Sequence, residues 1–309
     1  MKELKDISLL KYNTFGIDAK AKTFIEYYSL DELRQALTEH KGEQILHIGQ
    51  GSNLLFTADF NGVILHSGMA RAKFLDDETV EAQNGLRLDD MIAQLTDMGY
   101  SGLEKLSLIP GEVGASAVQN VGAYGCEAKD VIDRVYTIDI ETLEERVFSN
   151  AECKFGYRDS AFKHELKGKY IVTSVVYKVK PGDATKTREE IIETRNGKLP
   201  KVGEVGSAGS FFMNPFVPEE QANALLAQYP DMPHFATPQG VKIPAAWLIE
   251  QCGWKGKTLG GAQVWPKQPL VIVNANNASA QDIIDLAAAV SKSVQEKFNI
   301  AIHPEVNYI

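Results

Sequence analysis

Long apolar runs are missing from this chain of 309 residues. No stretch approaches the ~18 consecutive apolar residues that a bilayer-spanning helix needs, so no membrane insertion is expected. The first six residues, MKELKD, are too charged for a secretory signal. Cysteine is scarce as well: Cys126, Cys153 and Cys252 are odd in number and widely spaced. That spacing excludes a disulfide framework and a zinc-finger pattern, and no metal site is expected. Nor is there a basic excess. With 32 Lys and Arg against 41 Asp and Glu, the net charge is −9, which argues against nucleic acid as a partner. Internal repeats and low-complexity tracts are absent too. A cytoplasmic location follows, and the chain is expected to act as a monomer.

The length allows two or three compact units with separate cores. Ser29 and Glu32 form a capping-box pattern ahead of Leu33, Ala36 and Leu37 at helical spacing. A second helix is predicted over Leu88 to Met98, ending at Gly99. Residues 134–140 and 145–148 flank 141–144 as a hairpin, and 170–179 reads as a long strand. Pro181-Gly182-Asp183 breaks the chain before a helix near 187–195, which places the main boundary after residue 182. Three helices are predicted beyond it, over 218–227, 244–252 and 279–298, with a strand at 270–274. Ser279 and Asp282 mark the start of the last helix.

Small residues carry the strongest signal. Residues 109–125, IPGEVGASAVQNVGAYG, interleave Gly111, Gly114, Gly122 and Gly125 with Ala115, Ser116, Ala117 and Ala123. Glycine lets backbone N–H groups approach an anion closely, and Gln119 and Asn120 add side-chain donors. The same residues would also suit a tightly packed buried turn. A second loop, Gly49-Gln50-Gly51-Ser52-Asn53, separates the apolar runs 45–48 and 54–56. It lacks the third glycine and the long following helix of the dinucleotide fingerprint. Two donor-rich loops in the N-terminal half favour a diphosphate gripped from two sides.

Three further segments could bear chemistry. Arg158 stands beside Tyr157 in what reads as a turn at 154–160, with a solvated Arg158–Asp159 pair as the plain alternative. At 206–215, two glycines lead to Ser210, then Phe211, Phe212 and an asparagine, Asn214, before Pro215. Ser210 could be a nucleophile or a proton donor. The nucleophile-elbow spacing is not met, and no histidine lies near in sequence, so a hydrolase triad is unsupported. Glu305 follows Pro304 in a β-patterned tail and would be a solvated residue or a tuned acid.

Taken together, Asn13–Gly16, Gly49–Asn53, Ile109–Gly125, Gly156–Ser160, Gly206–Pro215 and His303–Val306 resemble, in order and nearly end to end, the UDP-N-acetylenolpyruvoylglucosamine reductase family. The resemblance implies an α+β chain with a vanillyl-alcohol-oxidase/PCMH-type FAD-binding fold at 1–182, in two subdomains of about 1–65 and 66–182. A substrate-binding α+β domain at 183–300 would follow, with a tail at 301–309 returning to the active site. It implies noncovalent FAD, with Gly49, Gly51, Ser52, Asn53, Gly111, Gly114, Ala115, Gln119, Asn120 and Gly122 as cofactor-binding positions.

The implied reaction is reduction of UDP-N-acetyl-3-O-(1-carboxyvinyl)-glucosamine to UDP-N-acetylmuramate in peptidoglycan synthesis, with NADPH as hydride donor. Hydride reaching the vinyl carbon leaves an enolate-like dianion that needs positive charge aimed at it. By the resemblance, Arg158 and Glu305 flank the carboxylate and Ser210 protonates the neighbouring carbon. Tyr157, Lys198, Asn214, Lys242, Lys255 and Gln268 are the implied substrate contacts, the lysines gripping the diphosphate of the UDP-sugar.

Two departures stand out. Tyr177 to Ala184 runs almost directly into the next helix, with no room for the tyrosine-bearing loop of one family class. Phe235 stands where a tyrosine contact is expected. A looser lid and altered substrate affinity follow, with the chemical step intact. The rival readings are another FAD-dependent oxidase or dehydrogenase of sugars or alcohols, with His47 or Cys126 as a flavin tether, and a nucleotide-binding protein without turnover.

Overall fold

The computed structural model describes residues 1–201 and 203–309. The chain divides into two compact units, the first comprising 1–12, 19–51 and 59–195, the second 13–18, 52–58 and 196–309.

Among the described residues the first unit contains two two-stranded sheets and two larger ones. In one, Lys2–Ser8, Lys20–Tyr27, Phe60–Ser67 and Ile45–Ile48 lie side by side in that order. The first pair is antiparallel and the other two are parallel. Val63, Ile64 and Leu65 are fully buried, as suits a strand flanked by parallel neighbours. The helix Leu30–Glu39 covers this sheet through Leu33, Ala36 and Leu37. Ser29 Oγ accepts the Glu32 N–H as its N-cap, but Glu32 reaches back to Tyr28 N rather than to Ser29, so the expected box is only half made.

The other sheet is antiparallel, in the order Glu145–Ser149, Ile132–Asp139, Tyr170–Lys178, Thr79–Gln83, Ala72–Asp76. The predicted hairpin and the long strand both lie here. The helix Leu88–Asp97 packs on it through Leu88, Met91, Ile92 and Leu95.

Asn84 joins the two sheets. Its side chain is 2% exposed. Nδ2 donates to Tyr27 Oη (2.8 Å) and to Val172 O (2.7 Å), while Oδ1 accepts from Ser67 Oγ (2.6 Å). Tyr27 Oη in turn meets His47 Nε2 at 2.8 Å. Burial, helped by the charge of His66, pushes the His47 pKa down to about 3, so this ring is neutral near pH 7 and Nε2 can accept the tyrosine proton.

In the second unit, Gly206–Ser210, Val271–Asn274, Ala262–Val264 and Thr258–Leu259 form an antiparallel sheet. The helix Ala280–Phe298 contributes Ile283, Leu286, Val290 and Val294 to its core, and its Ser279–Asp282 capping box is reciprocal. Helices Glu219–Gln228 and Ala245–Gln251 stand within a residue or two of their predicted positions.

Two expectations are corrected. The segment 109–125 is not loop throughout: Val113–Gln119 is helical, ended by Asn120 in the left-handed conformation. Small residues there serve close packing in a helix as well as backbone approach. The division between units falls after Arg195 rather than after residue 182. Most of the helix Thr185–Lys198 belongs with the first unit because Arg188 Nη1 pairs with Asp89 Oδ1 at 2.7 Å, both side chains largely buried.

Asn84→Ala is expected to lower the unfolding free energy by about 3 kcal/mol, because it strands several buried partners at once. Urea denaturation measures this, and a loss under about 1 kcal/mol would show that the amide is not a joint.

Candidate active site

The candidate cofactor positions of the first unit lie on two glycine-containing segments. Gly51 and Gly111 have φ of +63° and +123°, where a side chain would be strained. Gly111 N–H donates to Gln50 Oε1 at 3.0 Å, which ties the two loops together. In the first turn of the helix Val113–Gln119, Val113 N–H donates to Leu86 O and Gly114 N–H to Asn84 O. Ala115 is the exposed residue of that turn. Gly114 therefore acts by close approach: a Cβ there would lie 2.8 Å from Asn84 Cβ. Its N–H does not face a ligand.

Asn120 also departs from expectation. It is completely buried. Nδ2 donates to Glu127 Oε2 and to Gly156 O, and Oδ1 accepts from Lys129 N, so its amide organises the segment instead of reaching a cofactor. Gln119 Oε1 accepts from Lys163 Nζ at 3.1 Å. Gly122 O accepts from Arg158 Nη2 at 2.7 Å.

Arg158 sits at φ +56° in a tight turn closed by the bridge Gly156–Asp159. A non-glycine residue in this region is a mark of local strain. Its guanidinium lies 5.3 Å from the Tyr157 ring centroid. Asp159 pairs with His164 at 2.8 Å. Of the two residues a covalent flavin tether would need, His47 has Nε2 engaged by Tyr27, and burial raises the Cys126 thiol pKa. Neither is set up as a nucleophile.

In the second unit, segments far apart in sequence converge on Ser210. Phe15 is fully buried edge-on to Phe211, centroids 6.2 Å apart, and Thr14 Oγ1 donates to Ser207 O at 2.6 Å. This gives the Asn13–Gly16 motif a role that sequence did not suggest: it anchors the strand that carries Ser210. The C-terminal tail runs antiparallel to residues 211–213, with Glu305 N–H donating to Phe211 O (2.7 Å) and Met213 N–H to His303 O (2.9 Å). Glu305 is thus fixed one residue from Ser210. Asn53 Nδ2 donates to Glu305 O at 3.2 Å and Asn53 O accepts from Asn307 N. The strand pairing Asn307–Tyr308 with Leu54–Leu55 continues the contact, and Ser52 belongs to the same unit.

All the candidate substrate contacts except Tyr157 lie in this unit. Asn214 Oδ1 accepts Ala245 N–H and Lys242 pairs in register with Phe216. Lys198 O accepts the Trp265 indole N–H, and Gln268 N–H donates to Trp265 O. Lys255 stands apart, paired with Glu250 at 2.8 Å. Phe235 is 55% exposed with Lys242 Nζ 5.7 Å from its ring centroid. After Tyr170–Lys178 the chain makes one short strand, Lys180–Pro181, and enters the next helix at Thr185, so no inserted loop is present.

These features define a flavoprotein of the PCMH type: residues 22–142 match the model of an FAD binding domain. Residues 200–309 match that of the UDP-N-acetylenolpyruvoylglucosamine reductase C-terminal domain. The UDP-N-acetylenolpyruvoylglucosamine reductase of Bacteroides fragilis is 47% identical over 98% of this chain and 98% of its own. That of Neisseria meningitidis serogroup C is 42% identical over 97% and 96%. The crystal structure of the Thermus caldophilus enzyme superposes with a TM-score of 0.76 over 99% of this chain and 98% of that one, at 23% identity, and shares the fold. The chain belongs to the UDP-N-acetylenolpyruvoylglucosamine reductase family.

Asn120→Ala is expected to cost about 2–3 kcal/mol and to loosen residues 120–129. Hydrogen exchange would detect it, and unchanged protection would restore Asn120 as a candidate ligand contact.

Proposed function

We propose that this chain reduces UDP-N-acetyl-3-O-(1-carboxyvinyl)-glucosamine to UDP-N-acetylmuramate for peptidoglycan synthesis, as a cytoplasmic monomer drawing on NADPH. The observation that carries the reading is the fixing of the Glu305 backbone against Phe211, the residue after Ser210, by the returning tail, within the unit that also holds most of the candidate substrate contacts. A protein that only stored a nucleotide would have no use for that arrangement.

Bound FAD supplies the hydride. The residues proposed to hold it are Gly49, Gly51, Ser52, Asn53, Gly111 and Ala115; Gly51 and Gly111 have positive φ, and Ala115 is small and exposed. The remaining chemistry falls to the chain. Ser210 Oγ donates the proton to the carbon next to the carboxylate. A serine hydroxyl is a poor acid, so a relay must resupply it. Glu305 and Arg158 stabilise the charge that develops on the carboxylate. Lys198 and Lys242 supply the positive charge for the UDP diphosphate, which the net charge of −9 denies the surface at large, and Lys255 would join them only by leaving Glu250.

The reading requires NADPH consumption that depends on the enolpyruvyl sugar nucleotide. In Ser210→Ala, flavin reduction by NADPH should persist while sugar reduction slows by roughly a hundredfold or more. Equal slowing of both half-reactions would make Ser210 structural. Removing residues 305–309 should abolish turnover, and a truncated chain retaining most of its kcat would remove Glu305 from the chemistry.

A further inference from the structure

Glu112 is the one charged residue of the glycine-rich segment, and the reaction leaves it unused. It occupies the N-cap position of the helix Val113–Gln119, yet its side chain makes no capping hydrogen bond. Glu112 is 5% exposed, and its carboxylate turns instead to His66, Oε1 to Nε2 at 3.3 Å. It also lies against the first glycine of the other loop, since a Cβ at Gly49 would come within 3.0 Å of Oε2. The two loops thus meet twice, at Gly49 with Glu112 and at Gln50 with Gly111.

His66 is itself held firmly. Its ring stacks on Phe24 and stands edge-on to Tyr12, centroids 6.0 Å apart in both cases. Its buried Nδ1 has no hydrogen-bond partner and faces Glu26 Oε1 at 3.4 Å.

The charge at this place has the wrong sign for an anion site. A buried carboxylate against a loop that takes a diphosphate is repulsive unless a cation balances it. The titratable and charged groups around the His66–Glu112 pair are Glu26 on Lys20–Tyr27, which accepts from Tyr28 Oη, Tyr27 at the end of that strand, Tyr12 on Leu10–Tyr12, neutral His47 on Ile45–Ile48, and Arg87 ahead of Leu88–Asp97. Burial works against the imidazolium, but Glu112 and Glu26 more than reverse this and the His66 pKa is raised. Burial likewise raises the Glu112 pKa, opposed by His66 and Arg87.

We propose that Glu26, His66 and Glu112 form a proton-linked support beneath the FAD diphosphate loops, in which the His66 imidazolium positions Glu112 against Gly49 and cancels its charge. The inference rests on the reading of these loops as the FAD site. Proton and flavin then bind together. A raised folded-state pKa means that the support is complete at low pH and is lost as pH rises through that value. Protonation of Glu112 acts in the same direction, and the FAD diphosphate stays ionised throughout.

The test is equilibrium dialysis of holoenzyme from pH 6.5 to 9, with released FAD read by fluorescence. The wild-type Kd is expected to rise about tenfold across this range. Glu112→Gln should flatten the profile and bind FAD more tightly than wild type at pH 9, a gain that misfolding cannot produce. His66→Gln should weaken FAD about tenfold at pH 6.5, and adding Glu112→Gln to it should recover most of the loss. An unchanged or weakened Kd at pH 9 in Glu112→Gln, or a double variant no better than His66→Gln alone, would overturn the proposal. A wild-type chain that holds no FAD at any pH would overturn the reading of the loops themselves.

Discussion

Asn84 holds the flavin-binding unit together through one buried amide. Its side chain bonds Tyr27 and Ser67 at the ends of two strands of one sheet and Val172 in the other, and its own carbonyl takes the Gly114 N–H. Buried polar groups are costly when unpaired, so such a network admits few alternative arrangements. Because Gly114 has no Cβ, the helix Val113–Gln119 can rest on Asn84 at contact distance. The first turn of that helix, and Gly111 just before it, are therefore fixed with respect to both sheets. Gln50 then carries this fixed point to the second loop through its bond to Gly111. Under the proposed reading of these loops as the FAD diphosphate site, such rigidity is what a backbone cradle with few side chains would need.

In the second unit the corresponding constraint is the chain's own tail. Backbone bonds of residues 303–305 to residues 211–213 and of residue 307 to Asn53 set the position of Glu305. Phe15 supports the same region from below, packed on Phe211 in the unit's core. Segments far apart in sequence thus fix the backbone of Glu305 against Phe211, the residue after Ser210. No inserted loop follows Tyr170–Lys178, and in the second unit Phe235 is exposed beside Lys242.

Elements with local signals were legible in the sequence. The capped helix Ala280–Phe298, the hairpin of Ile132–Asp139 with Glu145–Ser149, and the long strand Tyr170–Lys178 follow from periodicity and turn residues alone. The motifs also pointed to the family. What sequence did not disclose depends on long-range pairing. Asn120 reads as a free donor until its three internal partners are seen. Glu112 meets His66, 46 positions earlier, a pairing that no local pattern encodes. The unit boundary was missed because Arg188 draws its helix to Asp89, 99 positions away, and no local pattern encodes that attachment. Asn84 gave no signal at all, being a single polar residue after a strand.

The most direct test of the account is an anaerobic stopped-flow record at the flavin absorbance band, with NADPH added first and the enolpyruvyl UDP-sugar second. The account predicts bleaching by NADPH and rapid recovery of the oxidised spectrum on adding the sugar nucleotide. Bleaching that only oxygen reverses would contradict the reductase assignment, and a colourless protein would contradict the flavin site itself.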